Sequence, residues 1–173
     1  CLKLIYMKNI LVLLVIVSLC ACQSKQANEP KPSSNLQSMV FNGTVSDSLK
    51  TGHTYLSVYS QIYSTTEHKT HDLTATVSIR NINANDTIFI NKADYYNTKG
   101  DLIRHYITKP IYVKPMQTIE IVIDEKDKEG GTGANFMFEW QVDHQTSQPY
   151  FEAVMISTSG QQGLSFTTKG VDL

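Results

Sequence analysis

Beyond His53, apolar and polar residues alternate with a period of two through most of the chain. Leu73, Ala75, Val77 and Ile79 interleave with Thr74, Thr76, Ser78 and Arg80, as in a strand with one face buried and the other in water. Ile119, Ile121 and Ile123 repeat the pattern, and Phe136, Phe138, Trp140 and Val142 place three large rings and a valine on one face. That last run marks the densest part of the core, because aromatic side chains bury the most area per residue. Further strands are predicted at 55–63, 87–96, 102–107, 111–113, 151–157 and 164–168. No helical period persists for ten residues after residue 22.

The joints carry turn chemistry. Asn97-Thr98-Lys99-Gly100-Asp101 offers a glycine for a positive backbone angle, so 88–96 and 102–107 are predicted to form a hairpin. Pro110 and Pro115 bracket 111–113, and proline cannot donate to a central ladder, which predicts an edge strand. Eight or nine short strands at this spacing define an all-β fold, a single immunoglobulin-like antiparallel sandwich. The Cys-Trp-Cys mark of true immunoglobulin domains is absent from the sequence.

The N-terminal pattern is different. Met7-Lys8-Asn9 leads into a nearly unbroken apolar run, Ile10 to Leu19. This is the layout of a secretory signal peptide, and the run is shorter than the about 20 residues that span a bilayer. Leu19-Cys20-Ala21-Cys22 resembles a bacterial lipobox, which makes Cys22 the expected lipidation site and new N-terminus; Cys20 fits less well because Leu19 would fill the small-residue position. Residues 1–6 read as an extension upstream of the initiator Met7. Residues 23–52 begin with a Pro, Ser, Gln and Lys-rich stretch that reads as a flexible tether, with a reach of roughly 30 Å. The expected division is therefore 1–22 signal, 23–52 tether and 53–173 sandwich.

Composition narrows the function. All three cysteines, Cys1, Cys20 and Cys22, lie in the signal segment, so the domain is expected to hold no disulfide, thiol nucleophile or thiolate metal site. The formal charge is −1, and removing Lys3 and Lys8 leaves 13 basic against 16 acidic residues, or −3. That balance argues against a nucleic-acid partner, which needs a basic face. The expected partners are the membrane, through the lipid anchor, and an envelope protein or glycan. Gln23 stands where Asp would signal inner-membrane retention, which favours the outer membrane facing the periplasm in a Gram-negative host.

Several stretches, taken in order, carry a family resemblance: Val58 to Tyr63, Asp72 to Asn81, Asp94-Tyr95-Tyr96, Gly131 to Phe136, Glu152 to Ile156 and Gly160 to Phe166. Over roughly residues 54–168 the chain resembles the bacterial family known as domain of unknown function 3124. The resemblance implies a small exported protein, often a lipoprotein, and carries over no catalytic residue.

Candidate chemistry is sparse. Glu139 and Glu152 would face each other about 4.5 to 5.5 Å apart if their strands form a hairpin around 144–150, and such a pair can share acid and base roles in a hydrolase acting on envelope polysaccharide. His68 and His71 lie three apart but lack a convincing third ligand, so no metal is expected. The acidic run from Asp124 places Lys126 and Lys128 where a calcium loop needs oxygens, which predicts a solvated loop. Gly131, Thr132, Gly133 and Asn135 on one loop, with Gln161 and Gln162 on another, combine open backbone amides with short polar groups and form the expected binding surface. Tyr55, Tyr59 and Tyr63 would share one face of the first strand. No pattern calls for a cofactor. The function this predicts is a non-catalytic binding or structural module of the envelope.

Overall fold

The computed structural model describes residues 34–158 and 163–173. The expected signal peptide, Cys22 and the expected tether up to residue 33 lie outside the described residues, as do Gln161 and Gln162. Among the described residues a short helix, α1 (Ser34–Ser38), precedes twelve strands. They are β1 (Lys50–Val58), β2 (Gln61–Tyr63), β3 (Thr70–Asp72), β4 (Thr74–Arg80), β5 (Ile88–Tyr96), β6 (Leu102–Ile107), β7 (Ile111–Val113), β8 (Thr118–Ile123), β9 (Ala134–Val142), β10 (Tyr150–Ser157), β11 (Leu164–Lys169) and β12 (Val171–Asp172). One layer is a sheet that runs β12-β1-β9-β5-β6, with β7 also paired to β5, the other is a sheet that runs β11-β10-β4-β8, and β2 and β3 form a small two-stranded sheet of their own. All pairings are antiparallel. The predicted all-β antiparallel sandwich is the fold.

Alternation decides what faces inward. Along β9 every second residue, from Ala134 to Val142, is buried, and β4, β8 and β10 answer with Ala75, Val77, Ile79, Ile119, Ile121, Ala153 and Met155. A ladder of rings ties the layers together. Tyr95 stacks on Phe136 at 4.8 Å, Phe136 on Phe138 at 5.4 Å, and Phe138 on Phe151 of the opposite sheet at 4.4 Å. Trp140 donates to the Thr54 hydroxyl at 3.0 Å, which satisfies the indole N–H inside the core.

The predicted hairpin of β5 and β6 forms, with Gly100 at φ 84° and the Asn97 carboxamide accepting from the amides of Lys99 and Asp101. β7 pairs with β5 on one side, as an edge strand does. Its other side is covered, since Tyr112 donates to the Met39 carbonyl, Phe41 donates to that of Pro110, and Val40 bridges Ile111.

Residues 34–52 depart from the tether reading. Leu36 is 4% exposed, Phe41 packs edge-on against Phe89 at 5.2 Å, and β1 begins at Lys50. The apolar trio Met39-Val40-Phe41 supplies the surface that the preceding polar stretch lacks. The single predicted strand at 55–63 is broken at Ser60 into β1 and β2, because the amides of Ser60 and Gln61 both turn to the Gly131 carbonyl.

Candidate functional site

The glutamate pair does not form. β9 and β10 belong to different sheets, so the 143–149 link crosses between layers instead of closing a hairpin. Glu139 sits opposite His53 on β1 and takes Lys92 at 2.7 Å, with His53 at 3.8 Å. The hydrogen bond from Lys92 holds the Glu139 carboxyl below the ordinary carboxylate range and raises Lys92 in return. Glu152 is held by Arg80 at 2.7 Å on the other sheet. Each glutamate is paired with its own cation, and at Glu139 the Lys92 hydrogen bond outweighs the burial that would push its carboxyl toward the raised pKa of a general acid.

The histidine and acidic segments also find local partners. The His71 ring lies 3.0 Å from the Ser64 hydroxyl, while exposed His68 lies 3.4 Å from Glu67. The 124–130 segment is ion-paired rather than merely solvated. Arg104 on β6 is nearly covered and binds Asp127 at 2.9 Å and Glu129 at 3.1 Å, and Lys128 reaches Asp72 at 2.6 Å. This loop joins β8 of one sheet to β9 of the other and is clamped to both neighbours.

The glycines that follow serve the clamp. The Gly131 amide donates to the Lys128 carbonyl and the Gly133 amide to the Thr98 hydroxyl, so neither is open to an anion. The Gly130 carbonyl accepts from the Thr98 amide and hydroxyl. A Cβ on Gly130 would lie 2.1 Å from the Tyr95 hydroxyl and 2.4 Å from that of Ser60. Dense glycine therefore reflects close approach to a buried Tyr95–Ser60 hydrogen bond, a cause the sequence does not separate from ligand approach. Gly131, Thr132, Gly133 and Asn135 are all half-buried. Backbone contacts from Gly131 to Ser60, from Ser60 to Leu73, and from Thr74 to Ile156 place this loop and the end of β10 at one end of the sandwich.

The tyrosines point elsewhere. Tyr63 lies on β2, apart from the other two, and Tyr59 packs edge-on against Phe166 at 5.7 Å. Tyr55, however, belongs to the outer face of the larger sheet, where the cross-strand register lays side chains in rows. One row runs Tyr55, Met137, Asp94, His105, and the next Ser57, Asn135, Tyr96, Leu102. A third holds His53, Glu139 and Lys92, and a fourth Thr51, Gln141, Phe89 and Tyr112.

Two properties distinguish this face. Its acidic and basic side chains are internally partnered, with Asp94 and His105 at 2.6 Å beside the Glu139 cluster. Its rings are half-buried, set among the neutral groups of Ser57, Asn135 and Gln141. By strand spacing and rise, Tyr55 and Tyr96 stand roughly 12 Å apart, two strands over and two residues along. Sequence alternation marks these residues as outward; which of them share a row depends on strand order, and the missed residues, Tyr96, Asp94, His105 and Gln141, become neighbours only through it.

An antiparallel β-sandwich with a ring-bearing sheet face whose acidic and basic groups are internally partnered is the class of protein that fold and site define. The chain belongs to the family described as protein of unknown function DUF3124, whose model matches residues 51–173. No curated protein matches the chain. Among solved structures, the one titled crystal structure of Thermotoga maritima 1070 is similar at a TM-score of 0.46 and 11% identity, over 76% of this chain and 96% of that one.

Proposed function

We propose that this protein is a non-catalytic recognition module of the bacterial envelope, lipidated at Cys22, that binds a neutral glycan strand on the outer face of its larger sheet. The observation that supports the reading is that every acidic and basic side chain in the four rows already has a partner within the rows, which leaves rings and neutral hydrogen-bonding groups as the chemistry on offer. A sugar presents apolar C–H faces to stack on Tyr55 and Tyr96, and hydroxyls for the side chains of Asn135, Ser57 and Gln141. A charged polymer would have to displace internal ion pairs to gain new ones. The Leu19-Cys20-Ala21-Cys22 sequence supports the anchor, and acyl chains, at about 0.8 kcal/mol per buried methylene, hold a protein to a membrane without spanning it.

The test has two arms. Wild-type protein is expected in the membrane fraction and Cys22→Ser in the soluble fraction; a variant that stays with the membrane and still takes up labelled palmitate removes the anchor. On an array of envelope polysaccharides, Tyr96→Ala is expected to lose signal about 10-fold, as removal of one stacked ring does. Signal unchanged in Tyr96→Ala and Tyr55→Ala removes the face.

A further inference from the structure

A second feature lies away from this face, where α1 packs beside the β6–β7 turn. Leu36, Val40, Ile107 and Ile111 wall a pocket of about 280 Å³, with the Tyr106 ring on one side. Leu36, Ile107 and Ile111 are each less than 5% exposed and form a packed aliphatic floor, while Gln37 and Thr108 add polar groups to the lining. Lys109 also lines the pocket, yet it is exposed, and it makes no ion pair with another described residue. The wall that α1 contributes is fixed by the hydrogen bonds that tie Met39 and Phe41 to β7 and its lead-in.

We propose that this pocket binds a single-chain fatty acid, the alkyl chain against the aliphatic walls and the carboxylate at Lys109. Charge complementarity selects the head group: an unpaired ammonium at the mouth of an apolar pocket favours an amphipathic anion over a neutral or cationic amphiphile. Volume selects the tail. At about 280 Å³ the pocket lies just below the about 300–1,000 Å³ found for drug-sized ligand sites, enough for one short chain and too little for a two-chain lipid. Apolar burial drives entry, and the exposed lysine orients the ligand with its head in water.

The test is calorimetric titration of the whole chain carrying Cys22→Ser, so that no acyl group of its own competes. Decanoate is expected to bind saturably at one per chain below its micelle concentration, and decyltrimethylammonium to bind more weakly. Lys109→Gln, at an exposed position, should weaken decanoate about 3- to 5-fold, the size of one exposed ion pair. Thr108→Trp, also exposed and lining the pocket, should abolish binding with an unchanged circular dichroism spectrum. Absence of saturable decanoate binding, equal affinity for the cationic amphiphile, or full binding by both variants would overturn the proposal. So would an aliphatic peptide that binds here where decanoate does not.

Discussion

The Tyr95 hydroxyl lies 3.1 Å from that of Ser60 inside a core that leaves the tyrosine no exposure. Burial disfavours the tyrosinate and pushes Tyr95 up to about 12, from about 10 in an open chain. The folded protein thus keeps a proton that the unfolded chain releases first. The associated stability is complete below pH 10 and is lost as pH climbs toward 12, on the order of 3 kcal/mol in all. Denaturant melts between pH 9 and 12 should follow that slope, and Tyr95→Phe should flatten it while costing stability at neutral pH, since Ser60 loses its partner. Near it, Gly131 holds φ 72° and a Cβ would lie 2.8 Å from the Thr98 hydroxyl. Gly131→Ala should therefore cost about 1–2 kcal/mol from the left-handed backbone alone. Gly163, whose Cβ would meet nothing within 4 Å, should accept alanine with little change in melting temperature.

At the scale of elements, the link between β8 and β9 joins the two sheets through Arg104. The Asp127 and Arg104 side chains are 14% and 16% exposed, so removing one carboxylate leaves a mostly covered guanidinium short of a partner. Asp127→Ala should cost about 1.5–3 kcal/mol and raise hydrogen exchange across 124–133, whereas exposed Glu129→Ala should do much less. The same elements show what the sequence made legible. β6, β7 and β8 have the predicted bounds, and β5 and β9 nearly so, because alternation and flanking turn residues act locally. β3 and β12, three and two residues long, are too short to show a period. Partner choice is not local. Alternation in β9 and β10 would be the same whether the seven-residue link folds them into a hairpin or carries the chain across to the other layer, so the facing of Glu139 and Glu152 could not be read. The tether reading stops too late because the polar composition that supports it ends at residue 38, while the few apolar residues from Leu36 to Phe41 suffice to dock the segment on β7. Of the expected binding residues, Asn135 lies on the outer face of the larger sheet; Gly131 and Gly133 are absorbed by the clamp.

For the molecule as a whole, the two sheets differ in what they show to solvent. The outer face of the larger sheet carries rings and acidic and basic groups that partner one another. That of the smaller sheet carries Val122 and Ile156, 57% and 43% exposed, above the Arg80–Glu152 pair. Recognition by the larger sheet therefore predicts sidedness, and a photoreactive residue placed on each face in living cells measures it most directly. Replacing Tyr96 should give a discrete adduct that glycan-degrading enzymes remove, and replacing Val122 should give none. An adduct from Val122 with none from Tyr96, or a Tyr96 adduct untouched by those enzymes and digested by protease to a second polypeptide, would contradict the account.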